Sequence, residues 1–269
     1  MSTGSATGSA TGSALVPAER HQHILRLALG ERIVRIRDLA QSLGVHEMTV
    51  RRDLDALSEQ GLMQRVRGGA RLTQQAGAEV AYTLRVAQQL PAKARIAGAA
   101  LGLVQAGDIV GLDASTTALA LAQRLGERPV QAVVTSLDVA NALASAKVPF
   151  MLVGGTFHER ARSFVGGTVT QALERLHLDT VFFSAKGFSL RAGFTDAHLP
   201  EVEVKEKLIG SGGTVVALLD SQKFGLEAFG KIATPEQIDI LVTDAAPPKA
   251  VREALLEADV QLIVAGEDT

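Results

Sequence analysis

Two adjacent arginines, Arg51 and Arg52, are the residues of this chain best suited to bind a polyanion. They lie in residues 45–57, where Val50 and Leu54 belong to an apolar stripe with the i, i+4, i+7 spacing of a helix. Because both arginines fall off that stripe, we expect their guanidinium groups to face outward, where they can bind phosphate oxygens or guanine O6 and N7. A solvated arginine-rich helix without a partner is the alternative, and the arginine pair alone does not exclude it.

The neighbouring sequence predicts that this helix is the third helix of a winged helix-turn-helix module. Apolar spacing predicts two helices before it, at about residues 19–29 and 37–43. Gly44 predicts a tight turn between the second and third helices, because glycine tolerates a positive φ. Downstream, alternating residues around Gly68-Gly69 predict a two-stranded wing with these glycines at the turn.

This arrangement predicts a DNA-binding domain over residues 18–72, because a helix fits the major groove and a basic wing reaches the adjacent backbone. Residues 19–72 hold ten Arg, no Lys and seven Asp or Glu, a modest basic balance that is weak support by itself. The expected partner is operator double-stranded DNA, bound largely through phosphates and therefore sensitive to salt. The predicted DNA contacts are His46, Glu47, Thr49, Arg51, Arg52, Arg65, Arg67 and Arg71.

The composition limits what the rest of the chain can be. The 269 residues are enough for two domains, and 46% apolar with 21% charged residues is typical of a globular protein. Cysteine is absent, which excludes disulfides, thiolate catalysis and cysteine-bound zinc, and fits a reducing cytoplasm. The sequence has no apolar run of ~18 residues and no secretory signal, so we expect no membrane span and a cytoplasmic location.

From about residue 93 the sequence alternates between aliphatic strands and helices, a pattern typical of a parallel sheet covered on both faces. We therefore expect a multidomain chain, with a mainly α winged helix-turn-helix domain followed by an α/β domain with a mostly parallel sheet over residues 93–269. Residues 73–92 are small, polar and interrupted by proline, so they are expected to form a linker. The repeated Thr-Gly-Ser-Ala of residues 1–17 predicts a disordered tail.

Polar residues follow several of the predicted strands, at the sheet edge where open parallel sheets bind ligands. A Ser-Thr-Thr run begins a helix there, so backbone N–H groups and the helix dipole favour an anion. Lysines can add positive charge and aspartates can accept hydrogen bonds from sugar hydroxyls, which together predict a phosphorylated sugar as the small-molecule effector. The predicted effector-binding residues are Asp113, Ser115, Thr116, Thr117, Thr135, Gly154, Gly155, Lys186, Gly187, Asp220 and Lys223.

Each of these residues also has a purely structural interpretation. A serine before a helix commonly caps it, a Gly-Gly pair is typical of a turn, and an isolated lysine is commonly solvated. The histidines His158, His177 and His198 are scattered along the sequence and lack the spacing of metal ligands. We therefore expect no metal, no cofactor and no catalytic residue.

Residues 20–72 resemble the N-terminal domain of the DeoR family of bacterial transcriptional repressors. The resemblance is carried by Asp38-Leu39-Ala40, Leu43-Gly44-Val45, Thr49-Val50-Arg51-Arg52-Asp53-Leu54, Gly61-Leu62 and Val66-Arg67-Gly68-Gly69-Ala70. One difference is His46, which stands where the family usually has serine at the start of the recognition helix. Histidine is a poorer helix cap than serine, and contact with DNA is its other expected role.

Residues 93–266 resemble the effector-binding half of the same family, which is similar in fold to ribose-5-phosphate isomerase. The matching motifs are Leu112-Asp113, Thr116-Thr117, Leu152-Val153-Gly154-Gly155, Gly193-Phe194-Thr195 and Asp220-Ser221-Gln222-Lys223-Phe224-Gly225. The resemblance implies a transcriptional regulator, specifically a repressor of a sugar-metabolism operon that is relieved by a phosphorylated sugar. Ser115 stands where the family usually has glycine, which is expected to change the ligand that fits.

A sugar-phosphate isomerase with a fused DNA-binding module is the alternative function. Isomerisation needs a general base beside the substrate. The acidic segment of the similar isomerases corresponds here to Ser184-Ala185-Lys186-Gly187, which has no carboxylate, so we expect no enzymatic activity. A DNA-binding module this small usually works in pairs, so we expect a homodimer or higher homo-oligomer formed through the α/β domain.

Overall fold

The computed structural model describes residues 16–31, 33–73, 76–126 and 128–266. The chain divides into two compact units, residues 1–84 and 85–269. The predicted disordered tail falls, up to residue 15, outside the described residues, and a helix begins at Pro17. In the part of the chain that the structure describes, no helix is both long and apolar enough to cross a membrane.

The N-terminal unit contains the predicted winged helix-turn-helix. Its elements are α1 (Pro17–Gly30), β1 (Val34–Arg35), α2 (Ile36–Leu43), α3 (Glu47–Glu59), β2 (Met63–Val66) and β3 (Gly69–Leu72). The strands pair antiparallel in the order β1-β3-β2. The apolar stripe of α3, which includes Val50 and Leu54, is buried against Ile24 of α1 and Leu39 of α2. Helix α3 therefore keeps Arg51 and Arg52 exposed, as its sequence predicts.

Two glycines set the turns of this unit. Gly44 ends α2 with φ +62, and this left-handed conformation allows the chain to turn sharply into α3. The turn of the wing is Arg67-Gly68, with Gly68 at φ +80, and the prediction of Gly68-Gly69 at the turn is wrong by one residue. Gly69 belongs to β3 and pairs with Arg35, where a Cβ would lie 2.1 Å from the Val34 carbonyl oxygen. Close approach of the strands therefore requires this glycine.

Two helices, α4 (Ala76–Ala87) and α5 (Leu90–Leu101), occupy most of the segment from residue 73 onward that was expected to connect the domains. The boundary between the compact units falls inside α4, after Leu84. Pro91 lies in the first turn of α5. Backbone N–H groups in the first turn have no partner within the helix, so the missing N–H of proline costs no hydrogen bond there.

The C-terminal unit is an α/β fold around a parallel sheet, as predicted. Its helices after α5 are α6 (Thr116–Leu125), α7 (Leu137–Ser145), α8 (Gly167–Leu173), α9 (Leu199–Gly210) and α10 (Lys249–Glu257). The strands of its main sheet are β4 (Ile109–Leu112), β5 (Gln131–Val134), β6 (Phe150–Leu152), β9 (Leu178–Phe183), β12 (Gly212–Leu218), β14 (Ile240–Thr243) and β15 (Gln261–Val264). The five described strands that remain in this unit are short and pair antiparallel, namely β7 (Thr156–His158), β8 (Ser163–Val165), β10 (Gly187–Ser189), β11 (Gly193–Asp196) and β13 (Gly230–Ala233).

Within the described residues, seven strands form the main sheet in the order β15-β14-β12-β9-β4-β5-β6, and every pairing is parallel. Alternate residues of β12 enter opposite cores. Val216 and Leu218 pack in the core that includes α5, α6 and α7, whereas Val215 and Ala217 pack in a core that includes residues of α9 and α10. Burial on both faces explains the nearly continuous aliphatic strands.

The short antiparallel strands have no counterpart in the sequence-based prediction. Strands β7 and β8 form a hairpin, and β10, β11 and β13 form a small sheet. Each spans only three or four residues, which is too short for an alternating pattern to stand out. Two of them end on residues of the candidate functional site, His158 of β7 and Asp196 of β11.

Candidate functional site

The start of α3 is exposed and is capped by His46. His46 Nδ1 accepts a hydrogen bond from the Met48 N–H at 3.2 Å. A neutral ring that accepts at Nδ1 carries its proton on Nε2, so it keeps a donor that can contact DNA. Glu47 beside it is exposed, and Thr49 is half-buried. The two roles expected for His46 are therefore compatible.

Some of the predicted DNA-contacting arginines already have partners within the N-terminal unit. Arg65 Nε lies 3.3 Å from Asp55 Oδ1, so the wing is tied to α3. Arg71 donates two hydrogen bonds to Gln64 Oε1, at 3.0 and 2.8 Å, across the hairpin. These contacts orient the two guanidinium groups but leave each with further N–H donors.

The arginine pair of α3 is exposed, as its position off the apolar stripe predicts. Arg51 lies 3.6 Å from Glu47, one helical turn earlier. Arg52 and Arg67 are exposed, and among the described residues neither forms an ion pair. These two guanidinium groups are therefore the most readily available to bind phosphate.

A buried ion pair fixes α3 against α1. Asp53 is 5% exposed and accepts from Arg20 Nε at 2.7 Å and Arg20 Nη2 at 2.9 Å. His21 Nε2 lies 3.2 Å from the same carboxylate. The side-on arginine–carboxylate geometry is specific in direction as well as strong, so it sets the angle at which α3 is presented. The sequence marks Asp53 only as part of a motif and gives no sign of Arg20 as its partner.

In the C-terminal unit, a cavity of about 480 Å³ lies beyond the carboxyl ends of the central strands. Five of the predicted effector-binding residues line it, namely Ser115, Thr116, Lys186, Asp220 and Lys223. The other predicted residues, Asp113, Thr117, Thr135, Gly154, Gly155 and Gly187, are not part of its lining. The sequence-based argument from strand ends therefore leads to one shared cavity, although not for every residue named.

Asp113 lies behind the cavity wall, where it organises the strand ends. It is 1% exposed and accepts hydrogen bonds from the backbone N–H groups of Ser115 and Ser184, both at 3.0 Å. Lys205 Nζ lies 3.5 Å from Asp113 and donates to Asp196 Oδ2 at 2.8 Å. Asp113 thus links the ends of β4 and β9 to α9.

Lys205 stays charged in spite of its burial. Desolvation lowers the pKa of Lys205, but the carboxylates of Asp196 and Asp113 outweigh it and raise the pKa above its usual value. Burial alone would raise the pKa of Asp196, but the adjacent Lys205 ammonium holds that pKa below its usual value. The pair therefore supplies a fixed charged wall to the cavity.

Ser115 acts as a helix cap and also lines the cavity. Its Oγ accepts from the Ala118 N–H at 3.0 Å at the start of α6, which is the structural role that its position allows. The half-buried Thr116 follows it in the lining. Because α6 begins here, its first N–H groups and the positive end of its dipole favour an anion at this point.

The lining is strongly cationic, with six Lys or Arg and three Asp or Glu. Lys223 Nζ donates to Ser184 Oγ at 3.1 Å and lies 3.2 Å from Asp220 Oδ2.

Two lysines of the lining have lowered pKa values. Burial, followed by repulsion from Lys223, lowers the pKa of Lys93 to about 8. Burial, followed by repulsion from Arg85, lowers the pKa of Lys186 to about 8. Cations that destabilise one another in this way are stabilised by a bound anion.

Sequence reasoning missed several lining residues because they come from distant segments. Arg85 and Lys93 lie at or near the segment expected to be a linker, and Arg160 lies between β7 and β8. His158 and His198 are 40 positions apart, yet their rings stack with centroids 3.8 Å apart and Glu201 adjoins them. A Lys or His without a local motif gives no sign of such convergence.

Of the three predicted glycines outside the lining, Gly155 and Gly187 have packing roles, whereas a Cβ at Gly154 would meet no atom within 4 Å. A Cβ at Gly155 would lie 2.6 Å from Val169 Cγ2, and a Cβ at Gly187 would lie 2.3 Å from the Leu226 carbonyl oxygen. Both positions therefore need glycine for close approach of neighbouring segments. Thr117 and Thr135 are fully buried behind the lining.

An exposed recognition helix with a wing in one unit, and a cationic cavity at the sheet edge of the other, define a DNA-binding protein with a sensor domain. Comparison with known protein families supports both parts. Residues 20–76 match the model of the DeoR-like helix-turn-helix domain, and residues 88–245 match that of the DeoR C terminal sensor domain. The chain therefore belongs to the DeoR family of transcriptional regulators, as its motifs imply.

Relatives match along nearly the whole chain. The HTH-type transcriptional regulator GolR of Listeria innocua is 32% identical over 93% of this chain and 100% of its own length. The HTH-type transcriptional repressor GlcR of Bacillus subtilis is 34% identical over 84% of this chain and 88% of its own length. Among solved structures, ribose 5-phosphate isomerase A from Methanocaldococcus jannaschii is 18% identical over 49% of this chain and 53% of that one, with a TM-score of 0.38.

Proposed function

We propose that this regulator represses a sugar-metabolism operon and releases its operator when a phosphorylated sugar binds in the cavity of the C-terminal unit. The observation that carries the proposal is the cationic cavity, in which lysines and arginines meet the first turn of α6. One relative, GlcR, is named a transcriptional repressor. Release follows if the sugar phosphate binds more tightly to the arrangement of the chain that binds DNA weakly.

Within the cavity, different side chains are proposed to bind the phosphate and the sugar of the ligand. The phosphate is proposed to bind at the start of α6, near Thr116, with Lys93 and Lys186 supplying positive charge. Asp220 is proposed to accept hydrogen bonds from sugar hydroxyls. Lys223 is proposed to contact both the phosphate and the sugar. Asp113 acts from behind by holding Ser115 and Ser184 in place.

On the DNA side, α3 is proposed to lie in the major groove, with His46 at its start and Arg52 on the phosphate backbone. Arg67 at the wing turn is proposed to contact the adjacent backbone. Residues 18–72 would be the DNA-binding domain, residues 73–92 the connector and residues 93–269 the effector-binding domain. The regulator is proposed to act in the cytoplasm as a homodimer or higher homo-oligomer, without enzymatic activity.

The test is a thermal-shift screen of phosphorylated sugars against the whole chain, followed by operator binding with the compound that stabilises it most. A ligand that binds only the folded state raises the unfolding free energy by RT ln(1 + [L]/Kd). The compound should weaken operator binding by the unmodified chain. In Lys223→Ala, operator binding should remain, but the effect of the compound should be reduced.

Lys249→Ala is the matched control, because Lys249 is 81% exposed and lies on α10 outside the cavity lining. This variant should respond to the compound as the unmodified chain does. Equal responses of Lys223→Ala and the unmodified chain would contradict the proposed site. Conversion of the sugar phosphate by the purified chain, well above background, would favour an isomerase instead.

A further inference from the structure

Two histidines and a glutamate form a cluster at one side of the cavity. His158 ends β7, His198 precedes the first turn of α9, and Glu201 lies within that turn. His158 Nδ1 is 3.3 Å from Glu201 Oε1, and one ligand atom from each of the three residues lies within 4.8 Å of the other two. The hairpin β7–β8 and the start of α9 thus bring together three potential ligands that are far apart in sequence.

One buried nitrogen of this cluster is left without a hydrogen bond in the part of the chain that the structure describes. His198 Nδ1 is buried, and it finds no hydrogen-bond partner among the described residues. A buried polar nitrogen without a partner costs free energy, so its presence calls for an explanation. A neutral imidazole offers a lone pair at such a nitrogen, and histidine is the commonest protein ligand for metal ions.

The carboxylate of the cluster is held in the manner of a metal ligand. The Glu201 side chain is 7% exposed, and its Oε1 accepts a hydrogen bond from the hydroxyl of Ser163, which is fully buried. Hydroxyl groups that orient a ligating carboxylate are a regular feature around bound metals. Lys205 is engaged with Asp196, Asp113 and the Ser184 carbonyl, so it gives Glu201 no direct ion pair within the described residues.

We propose that His158, His198 and Glu201 bind a divalent transition-metal ion of the zinc class, with an open coordination position that faces the cavity. Two imidazole nitrogens and one carboxylate oxygen suit Zn²⁺, Co²⁺ or Ni²⁺ better than Mg²⁺, which prefers oxygen ligands alone. Three protein ligands leave a fourth position for water or for a ligand hydroxyl. The site goes beyond the proposed function, because it stands on its own residues whichever compound the cavity accepts.

Binding the ion requires a small movement of the rings. The His158 and His198 rings are stacked with an interplanar angle of 15°. Their lone pairs lie in the ring planes, so the rings must rotate apart for both nitrogens to point at one ion. Rotation about the terminal torsion of histidine is soft, so the rings can turn at low cost.

The test is a titration of the metal-free full-length chain with Co²⁺, whose visible absorption reports coordination by protein ligands, with Zn²⁺ as the competitor. The unmodified chain should bind one tight Co²⁺ that Zn²⁺ displaces, and Mg²⁺ should not compete. His198→Ala and Glu201→Gln should each lose this tight site. Ser163→Ala should keep it with affinity lowered by about tenfold, because only the support of the carboxylate is lost.

His177→Ala is the matched control, because His177 is exposed and does not line the cavity. It should bind Co²⁺ as the unmodified chain does. Operator binding and the melting temperature of each variant establish that it is folded. Absence of tight Co²⁺ binding in the unmodified chain, or tight binding unchanged in folded His198→Ala and Glu201→Gln, would overturn the proposal.

Discussion

At the scale of single residues, the arginines of the N-terminal unit divide by whether they already have a partner. Arg20 is held by Asp53, and Arg65 by Asp55, whereas Arg52 and Arg67 are exposed without an ion pair in the part of the chain that the structure describes. Truncating one of the exposed arginines should therefore change DNA binding with little effect on folding.

Arg52→Ala should weaken operator binding without lowering the melting temperature. Loss of one phosphate contact should reduce the slope of log K against log salt by about 0.9. Arg26→Ala is the control, because Arg26 is exposed on α1 rather than on α3 or the wing. Binding isotherms at several salt concentrations measure both variants, and an unchanged slope and affinity in Arg52→Ala would remove this residue from the DNA interface.

Two of the four lysines that line the cavity, Lys93 and Lys186, should make anion binding depend on pH. The pKa of Lys93 and that of Lys186 are both lowered to about 8, so each ammonium loses its proton as the pH rises through that value. A bound anion favours the charged form, raises these pKa values and takes up protons. Affinity should therefore be full below pH 8 and fall above it, by up to about tenfold per pH unit for each lysine that must gain a proton.

Inorganic sulfate is the suitable probe for this effect, because its own charge stays constant between pH 7 and 9. Calorimetric titration of the full chain should show weaker sulfate binding at the higher pH. Lys186→Gln should bind sulfate less tightly and show a shallower dependence on pH, and Lys249→Gln should match the unmodified chain. An affinity that stays flat across this range would show that the lysines do not bind the anion.

At the scale of elements, the wing depends on a strand approach that only glycine permits. A Cβ at Gly69 would lie 2.1 Å from the Val34 carbonyl oxygen, and backbone atoms cannot move aside as a side chain would. Gly69→Ala should therefore break the pairing of β1 with β3 and destabilise the N-terminal unit by about 1–3 kcal/mol. Urea unfolding followed by circular dichroism, together with operator binding, measures the loss.

The same substitution at Gly77 is the control for Gly69→Ala. Gly77 lies in α4, and a Cβ there meets no atom within 4 Å. Alanine is a better helix former than glycine by about 1 kcal/mol, so Gly77→Ala should be neutral or stabilising. If Gly69→Ala unfolds at the same urea concentration as the unmodified chain, the strands have more freedom than this close approach indicates.

How far sequence alone predicts each element depends on where its defining contacts lie. Helix α3 and the strands of the main sheet are predictable, because an apolar stripe or an aliphatic run is a local pattern. Strands such as β7 and β10 form through pairing with segments a few residues away, and three residues are too few to show periodicity. The cavity is intermediate, because strand ends predict Asp220 and Lys223 but not His158, which a hairpin brings to the cavity.

At the scale of the whole molecule, the ligand response needs communication between two units that each have their own core. The cavity includes Arg85, which belongs to α4, the helix in which the boundary between the units falls. A ligand that contacts Arg85 would therefore bind to a side chain of α4. Any effect on DNA binding still requires that the ligand distinguish two states of the chain.

Pairing of the DNA-binding units is the property of the whole molecule that DNA itself can test. A homodimer should bind an operator with two half-sites about one helical turn apart or a multiple of it, so both recognition helices face the same side of the duplex. Inserting about 5 base pairs between the half-sites should strongly weaken binding, whereas inserting about 10 should largely restore it, because a full turn returns the half-sites to one face. An operator selected from random DNA by the purified chain supplies the starting sequence, and sedimentation of the complex gives the number of chains bound. A single chain on the operator, with affinity indifferent to the spacing, would show that the units act alone.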